Sequence, residues 1–129
     1  MRFAEVDIIK NSEQLYPTCG NYFYDGDGVL RFEISDTGDP YMNSLILIHE
    51  LVEELITRKE GITEPEISAF DKMFEQERDM GMHGIDEEPG MDRRSPYRKH
   101  HIFAEKIERM VCKRLGISWD TYNEKVLSL

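Results

Sequence analysis

Two short stretches of the chain carry residue types that could bind a metal ion and activate water. The first is His49-Glu50-x-x-Glu53, which directly follows four apolar residues, Leu45 to Ile48. Side chains at positions i and i+4 of a helix converge, so His49 and Glu53 could bind one ion. Glu50 would then lie beside that ion, where a carboxylate can take a proton from water.

The second stretch is His101-x-x-x-Glu105, which repeats the spacing of a histidine and a carboxylate later in the chain. If the two helices pack side by side, two histidines and one or two carboxylates could meet. Zinc accepts three such ligands in catalytic sites and keeps a fourth position for water. We therefore predict that His49, Glu53 and His101 bind the metal and that Glu50 is the catalytic base.

Helical phase separates these residues from the apolar positions of the same helices. On the first helix, the apolar stripe consists of Leu45, Ile48, Leu51, Val52 and Leu55. On the later helix, the predicted core stripe consists of Phe103, Ala104, Ile107, Met110 and Val111, together with His100. The opposite, polar sides carry His49, Glu50, Glu53, His101, Glu105 and Glu108. Burying such a polar side is costly without a partner, and a metal ion is one such partner.

The sequence around these two motifs predicts an α+β fold in a single domain, residues 1–129. Residues 1–38 form the β-rich part, a small antiparallel sheet in which Asp25-Gly-Asp-Gly28 is a strong turn signal for a hairpin over 21–34. Residues 41–129 form the helical part, with three to four helices.

Helix boundaries follow from capping residues. Thr63 and Glu66 predict a capping box for the second helix, Ser95 with Pro96 starts the third, and Ser118 starts a short fourth helix. Residues 81–95 are rich in Gly, Pro and charged residues. A loop of this length is either mobile or functional.

Composition narrows the classes of partner. The 129-residue chain has a net charge of -10, from 26 acidic and 16 basic residues, which argues against general nucleic-acid binding. No stretch has the length of a membrane span, and the N-terminus does not resemble a signal peptide. Cys19 and Cys112 form no motif and predict two reduced thiols in a cytoplasmic protein.

The strand-then-helix order and the sequence from Leu45 to Glu53 resemble the zincin-type metallopeptidases, whose active helix carries H-E-x-x-H. In that family both histidines bind zinc, the Glu between them is the general base, and a later helix or loop supplies the third ligand. The resemblance implies a metal-dependent hydrolase that attacks a peptide or amide bond with metal-bound water, with His49 as first ligand and Glu50 as base. Glu53 replaces the second His of the motif, and this change also admits iron or manganese. The whole chain also resembles small proteins of phage or prophage origin.

Other interpretations of the same residues stay open. Glu50-x-x-Glu53-Glu54 also resembles the first motif of MazG-type nucleoside triphosphate pyrophosphatases, in which carboxylates hold magnesium. A third alternative is a non-enzymatic helical module whose acidic face and long loop bind a protein. Within the metal interpretation, His100 is the runner-up ligand, His83 could close over the site, and Glu105 and Glu108 are expected on a solvated face.

Overall fold

Three strands form the N-terminal sheet of the computed structural model, which describes residues 2–129. They are β1 (Ala4–Ile9), β2 (Gly20–Tyr24) and β3 (Leu30–Ser35), in the order β1-β3-β2. The antiparallel pairing of β2 with β3 confirms the predicted hairpin. Its turn contains Gly28 at a φ of 77°, which glycine adopts without strain. β1 pairs parallel to β3, so the sheet is mixed and not wholly antiparallel, because residues 10–19 carry the chain to the other edge of β3.

Four helices follow the sheet, which confirms the α+β prediction. They are α1 (Pro40–Lys59), α2 (Glu64–Asp79), α3 (Arg98–Arg114) and α4 (Trp119–Leu127). The predicted capping box of α2 and the cap of α4 are present. The predicted start of α3 is two residues too early, because Ser95 Oγ accepts a hydrogen bond from the Tyr97 backbone N–H in a turn before the helix. Within residues 2–129, no helix has both the length and the apolar character needed to cross a bilayer.

The hydrophobic core lies between one face of the sheet and the helices. β2 and β3 contribute Tyr22, Leu30, Phe32 and Ile34, and the helices contribute Leu45, Ile46, Ile67, Phe70, Phe74, Cys112 and Tyr122. On α2, Ile67, Phe70 and Phe74 are buried, whereas Met73 is exposed.

Helices α1 and α3 bury much of their polar sides and expose part of their apolar stripes, although Leu45 of the α1 stripe is fully buried. His49, Glu53, Glu54 and Glu108 are buried, whereas Leu51, Leu55, Phe103 and Met110 are exposed. The predicted core stripe of α3 is therefore wrong for Phe103 and Met110, whereas His100 and Ala104 of that stripe are buried and Ile107 and Val111 are half-buried. The polar sides face inward because their groups hydrogen-bond to one another, which compensates the loss of water.

Candidate metal centre

The predicted ligands meet where α1 packs against α3. Glu53 Oε2 lies 3.1 Å from His49 Nε2 and 3.1 Å from His101 Nδ1, and the two ring nitrogens are 3.1 Å apart. Ligand atoms around a tetrahedral zinc at its usual bond lengths are about 3.3 Å apart. The three atoms therefore already form a triangle of nearly the size that one such ion requires.

Each histidine is held from its far side by another carboxylate. His49 Nδ1 donates to Glu108 Oε1 at 2.8 Å, and His101 Nε2 donates to Glu88 Oε2 at 2.6 Å. These bonds place the ring protons on the far nitrogens. Carboxylates in this position are typical of histidines that bind metals, because they fix the tautomer and make the ligand more basic.

When both rings are neutral in these tautomers, His49 Nε2, His101 Nδ1 and Glu53 Oε2 all present lone pairs to one point. Three lone pairs at 3.1 Å repel one another unless a positive charge lies between them. Among residues 2–129, these three are the His, Cys, Asp or Glu side chains whose ligand atoms gather in this way. The cluster can thus hold a cation.

The carboxylates around the histidines favour positive charge. Burial lowers the pKa of His101, but hydrogen bonds to Glu53 and Glu88 outweigh it and raise this pKa to about 9. The same balance, with Glu108 and Glu53 as partners, raises the pKa of His49 well above its usual value. Either protons or a metal ion can supply this charge, and the two compete for the same nitrogens.

Two buried tyrosines complete the support of the ligands. Tyr22 of β2 donates to Glu53 Oε1 at 3.3 Å, and Tyr122 of α4 donates to Glu108 Oε2. The hydrogen-bond network therefore runs from the sheet through the ligands to the last helix. Every ligand is oriented by a group on a different element, which limits the movement of the cluster.

Glu50 lies on the sheet side of the cluster and lines the adjoining cleft. A Cβ on Gly20, at the start of β2, would lie 2.8 Å from Glu50 Oε1, so the carboxylate rests directly on the glycine backbone. Burial, followed by the nearby Glu53 carboxylate, raises the pKa of Glu50 to about 8. Glu50 is not one of the three convergent side chains and lines the cleft beside them.

The segment 81–95 is anchored to α2 and reaches the cluster through Glu88. His83 stacks on Phe74 with ring centroids 3.9 Å apart, and Arg94 Nη2 donates to Glu77 Oε1 at 2.7 Å. Pro89–Met91 forms a turn of 3₁₀-helix, and the buried Gly90 packs against the His101 ring. This loop therefore has a structural role at the site.

Gly90→Ala is expected to lower the free energy of unfolding by about 1–3 kcal/mol, the usual cost of overpacking. The added Cβ would lie 2.6 Å from His101 Nδ1, so either the ring or the loop must move. Urea denaturation of both proteins measures the difference. Gly26→Ala is the matched control, because a Cβ there meets nothing within 4 Å. An equal loss of unfolding free energy in this control would contradict the role of Gly90 in packing against His101.

A cleft of about 450 Å³ adjoins the cluster, within the usual range for ligand pockets. Its wall includes Glu50, Glu53 and His101, and also Asp71 of α2. Asp71 accepts hydrogen bonds from Tyr97 at 2.5 Å and from Tyr16 at 3.4 Å. The centre is thus reachable from a space large enough for part of a substrate.

Asp71 is expected to make stability depend on pH. Burial raises its pKa from 3.8 to about 7, although the Tyr97 hydrogen bond lowers it in part. The folded state then keeps a proton that the unfolded chain releases, so the stabilisation is present below pH 3.8 and is lost as pH rises through about 7. Asp71→Asn removes this titration, so the variant should gain on the order of 2–4 kcal/mol relative to wild type between pH 4 and 8. Thermal unfolding of both proteins at pH 4 and at pH 8 measures this gain. If the stability of the variant and of the wild type changes equally with pH, the prediction is contradicted.

The other histidines lie outside the cluster. His100, the runner-up ligand, is buried and pairs with Glu60 at the end of α1. His83 pairs with Glu77 and Glu87 instead of closing over the site. Glu105 lines the cleft and lies 3.7 Å from Arg109.

Sequence reasoning missed several supporting residues. Glu108 was expected on a solvated face, but it is buried and holds His49. Its position one turn of helix away from Glu105 and two from His101 was the available signal. Glu88, Tyr22 and Gly90 carry no such signal, because their contacts depend on how the loop and the sheet pack on the helices.

The chain was compared with known protein families, curated proteins and solved structures, and none of the three comparisons found a match.

Proposed function

We propose that the protein is a zincin-like metal-dependent hydrolase that cleaves a peptide or amide bond. His49, Glu53 and His101 would hold the ion, and Glu50 would be the base. The observation that carries the proposal is the convergence of three ligand atoms at 3.1 Å from one another, with both histidines fixed from behind by carboxylates.

A divalent ion at this point would polarise the scissile carbonyl and make water more acidic. Glu50 takes one proton as the water oxygen bonds to the carbonyl carbon. The C–N bond then breaks, and Glu50 returns the proton to the leaving nitrogen. Its place on the wall of the cleft, beside His49 and outside the ligand triangle, fits this transfer.

The donor set favours a transition metal. Two imidazole nitrogens and one carboxylate oxygen suit zinc, and the same set suits iron or manganese, whereas magnesium prefers oxygen ligands alone. This difference weighs against the MazG-type alternative. Its second acidic motif would have to come from the region of Glu75 to Asp79, where Glu75 is engaged by Arg78 at 2.9 Å.

The alternative of an acidic docking face has less support, because the carboxylates that would form it point inward. Glu53, Glu54 and Glu108 are buried, and a partner could not reach them without opening the helix pair. An internal cluster of this kind suits a small ligand in the cleft better than a protein surface.

The test is the metal content of protein purified without added metal, measured by elemental analysis. We expect about one zinc, iron or manganese ion per chain. Protein that contains none of these metals, and that takes up no zinc when zinc is added, would overturn the proposal. The identity of the bound element then decides which hydrolysis assays to run first.

A further inference from the structure

The outer face of the α1/α3 helix pair is apolar. Leu51 and Leu55 of α1 are 38% and 52% exposed, and Phe103 and Met110 of α3 are 47% and 67% exposed. The partly buried apolar residues Ile48, Val52 and Ile107 extend the same stripes. Together these side chains leave on the order of 400 Å² of apolar surface, a size that often marks a binding site. We call this surface the outer strip.

Helices α1 and α3 lie side by side and run antiparallel, so both contribute to the outer strip. His49 contacts Glu108, and Glu60 near the end of α1 contacts His100 near the start of α3. The ligand sides of both helices therefore point to the cleft, and the opposite sides of both point outward together. The strip lies on the side of the pair away from the metal cluster.

The charges on these outer faces are all basic. The exposed charged residues of α1 and α3 are all basic: Arg58, Lys59, Lys99, Lys106, Arg109, Lys113 and Arg114. Of these, Arg58 pairs with Glu54 and Arg109 lies on the cleft side near Glu105, so the outer strip is flanked mainly by the lysines. All five glutamates of the two helices are buried or half-buried. In a chain of net charge -10, a face with only positive charges differs from the rest of the surface.

The lysines are arranged in register with the apolar residues. Lys99, Lys106 and Lys113 follow one another every seven residues and lie along one edge of the strip, beside Phe103 and Met110, which are also seven apart. This spacing is that of a coiled coil, in which an apolar seam is flanked by charged positions that select the partner. α3 thus has one half of such an interface.

We propose that the outer strip binds an amphipathic helix of a partner protein, with apolar residues in its seam and Asp or Glu at seven-residue intervals beside it. The furrow between two packed helices accepts a third helix through such apolar anchors. Carboxylates on the partner would pair with the lysine row, which sets the register and orientation of the helix.

A second copy of this chain fits the strip less well. The outer faces of α1 and α3 have no exposed carboxylate, so self-association would place lysines against lysines or against apolar residues. An anionic membrane would match the local charge, but the net charge of -10 opposes approach of the whole molecule to it.

The test uses two synthetic helical peptides labelled with a fluorophore. Both carry Leu at the seam positions, and the flanking positions hold Glu in one and Lys in the other. Fluorescence anisotropy should show that the full-length protein binds the Glu peptide roughly tenfold more tightly than the Lys peptide. Equal affinity for both peptides, or no binding of the Glu peptide, would overturn the proposal.

Charge reversal provides the matched variant. Lys99→Glu with Lys106→Glu and Lys113→Glu changes three exposed side chains and should invert the preference, so that the Lys peptide binds more tightly. Met110→Ser should weaken both peptides, whereas Phe3→Ser, which removes an exposed apolar residue outside the strip, should weaken neither. If the triple charge reversal keeps the preference of the wild type, or if Met110→Ser binds both peptides as tightly as the wild type does, the proposal is overturned.

Two further measurements separate the other occupants. Light scattering during gel filtration reports self-association, and sedimentation with phosphatidylserine vesicles reports membrane binding. If the Glu peptide fails to bind and the protein forms a dimer that Met110→Ser dissociates, the strip binds a second copy of the chain. If the Glu peptide fails to bind and the protein binds vesicles until the triple charge reversal abolishes this binding, the strip binds a membrane. A monomeric protein that does not bind the vesicles and does bind the Glu peptide supports the proposal.

Discussion

In the proposed hydrolase, Glu50→Gln is expected to keep the metal ion and to slow hydrolysis by about 10²–10⁴-fold, the usual contribution of a general base. Glutamine keeps the size of the side chain against Gly20 but cannot accept the proton of the attacking water. Glu50 is outside the ligand triangle, so the ion should stay. The measurement is turnover of a quenched fluorescent peptide that the wild type cleaves, together with elemental analysis of the variant.

Glu105→Gln is the matched control for this prediction. Glu105 lines the same cleft, lies one helical turn after His101, and has only a weak pairing with Arg109 at 3.7 Å. The control should turn over at nearly the wild-type rate. A Glu50→Gln protein that contains the ion and cleaves as fast as the wild type would show that another group takes the proton.

The order of elements could be predicted from the sequence because local signals specify it. The Asp25–Gly28 turn, the capping box at Thr63 and the cap at Ser118 each depend on neighbouring residues alone. The pairing of β1 with β3 could not be predicted in this way. It depends on the path of residues 10–19 across the sheet, for which the sequence contains no short-range signal.

The inward side of α1 and α3 was the main error, and its cause is physical. Periodicity shows that a helix has an apolar and a polar side, and the apolar side is normally the one that meets the core. Here the polar sides of the two helices satisfy each other through His49, Glu53, His101 and Glu108. Their burial leaves the apolar sides outward, so the hydrogen-bond network and the exposed strip are two consequences of one arrangement.

The meeting of His49, Glu53 and His101 could be predicted from the sequence, but the residues that surround them could not. His49 and Glu53 lie one turn apart on one helix, and the phase of His101 on a second helix brought it to the same point. Glu88 reaches His101 from a loop, and Tyr22 reaches Glu53 from the sheet. Contacts between distant segments of this kind follow from packing, not from spacing.

The adjacent histidines of α3 allow the ligand assignment to be tested within one turn of helix. His101→Ala is expected to lower zinc affinity by more than about 100-fold, because losing a mere supporting partner already costs 10–100-fold. The substitution removes one of the three convergent atoms, so that only Glu53 and His49 remain to bind the ion. Competition with a zinc-binding chromophore measures the affinity, and circular dichroism reports whether the helices persist.

His100→Ala is the control that separates loss of metal from loss of fold. The His100 ring is buried and pairs with Glu60, so its removal should cost stability while zinc affinity stays within about twofold, because no ligand or supporting carboxylate changes. His101→Ala should show the reverse pattern, a large loss of zinc affinity with the helices retained. If the two variants lose zinc equally, the ion does not sit in the triangle of His49, Glu53 and His101. Equal retention would mean that His101 only borders the site.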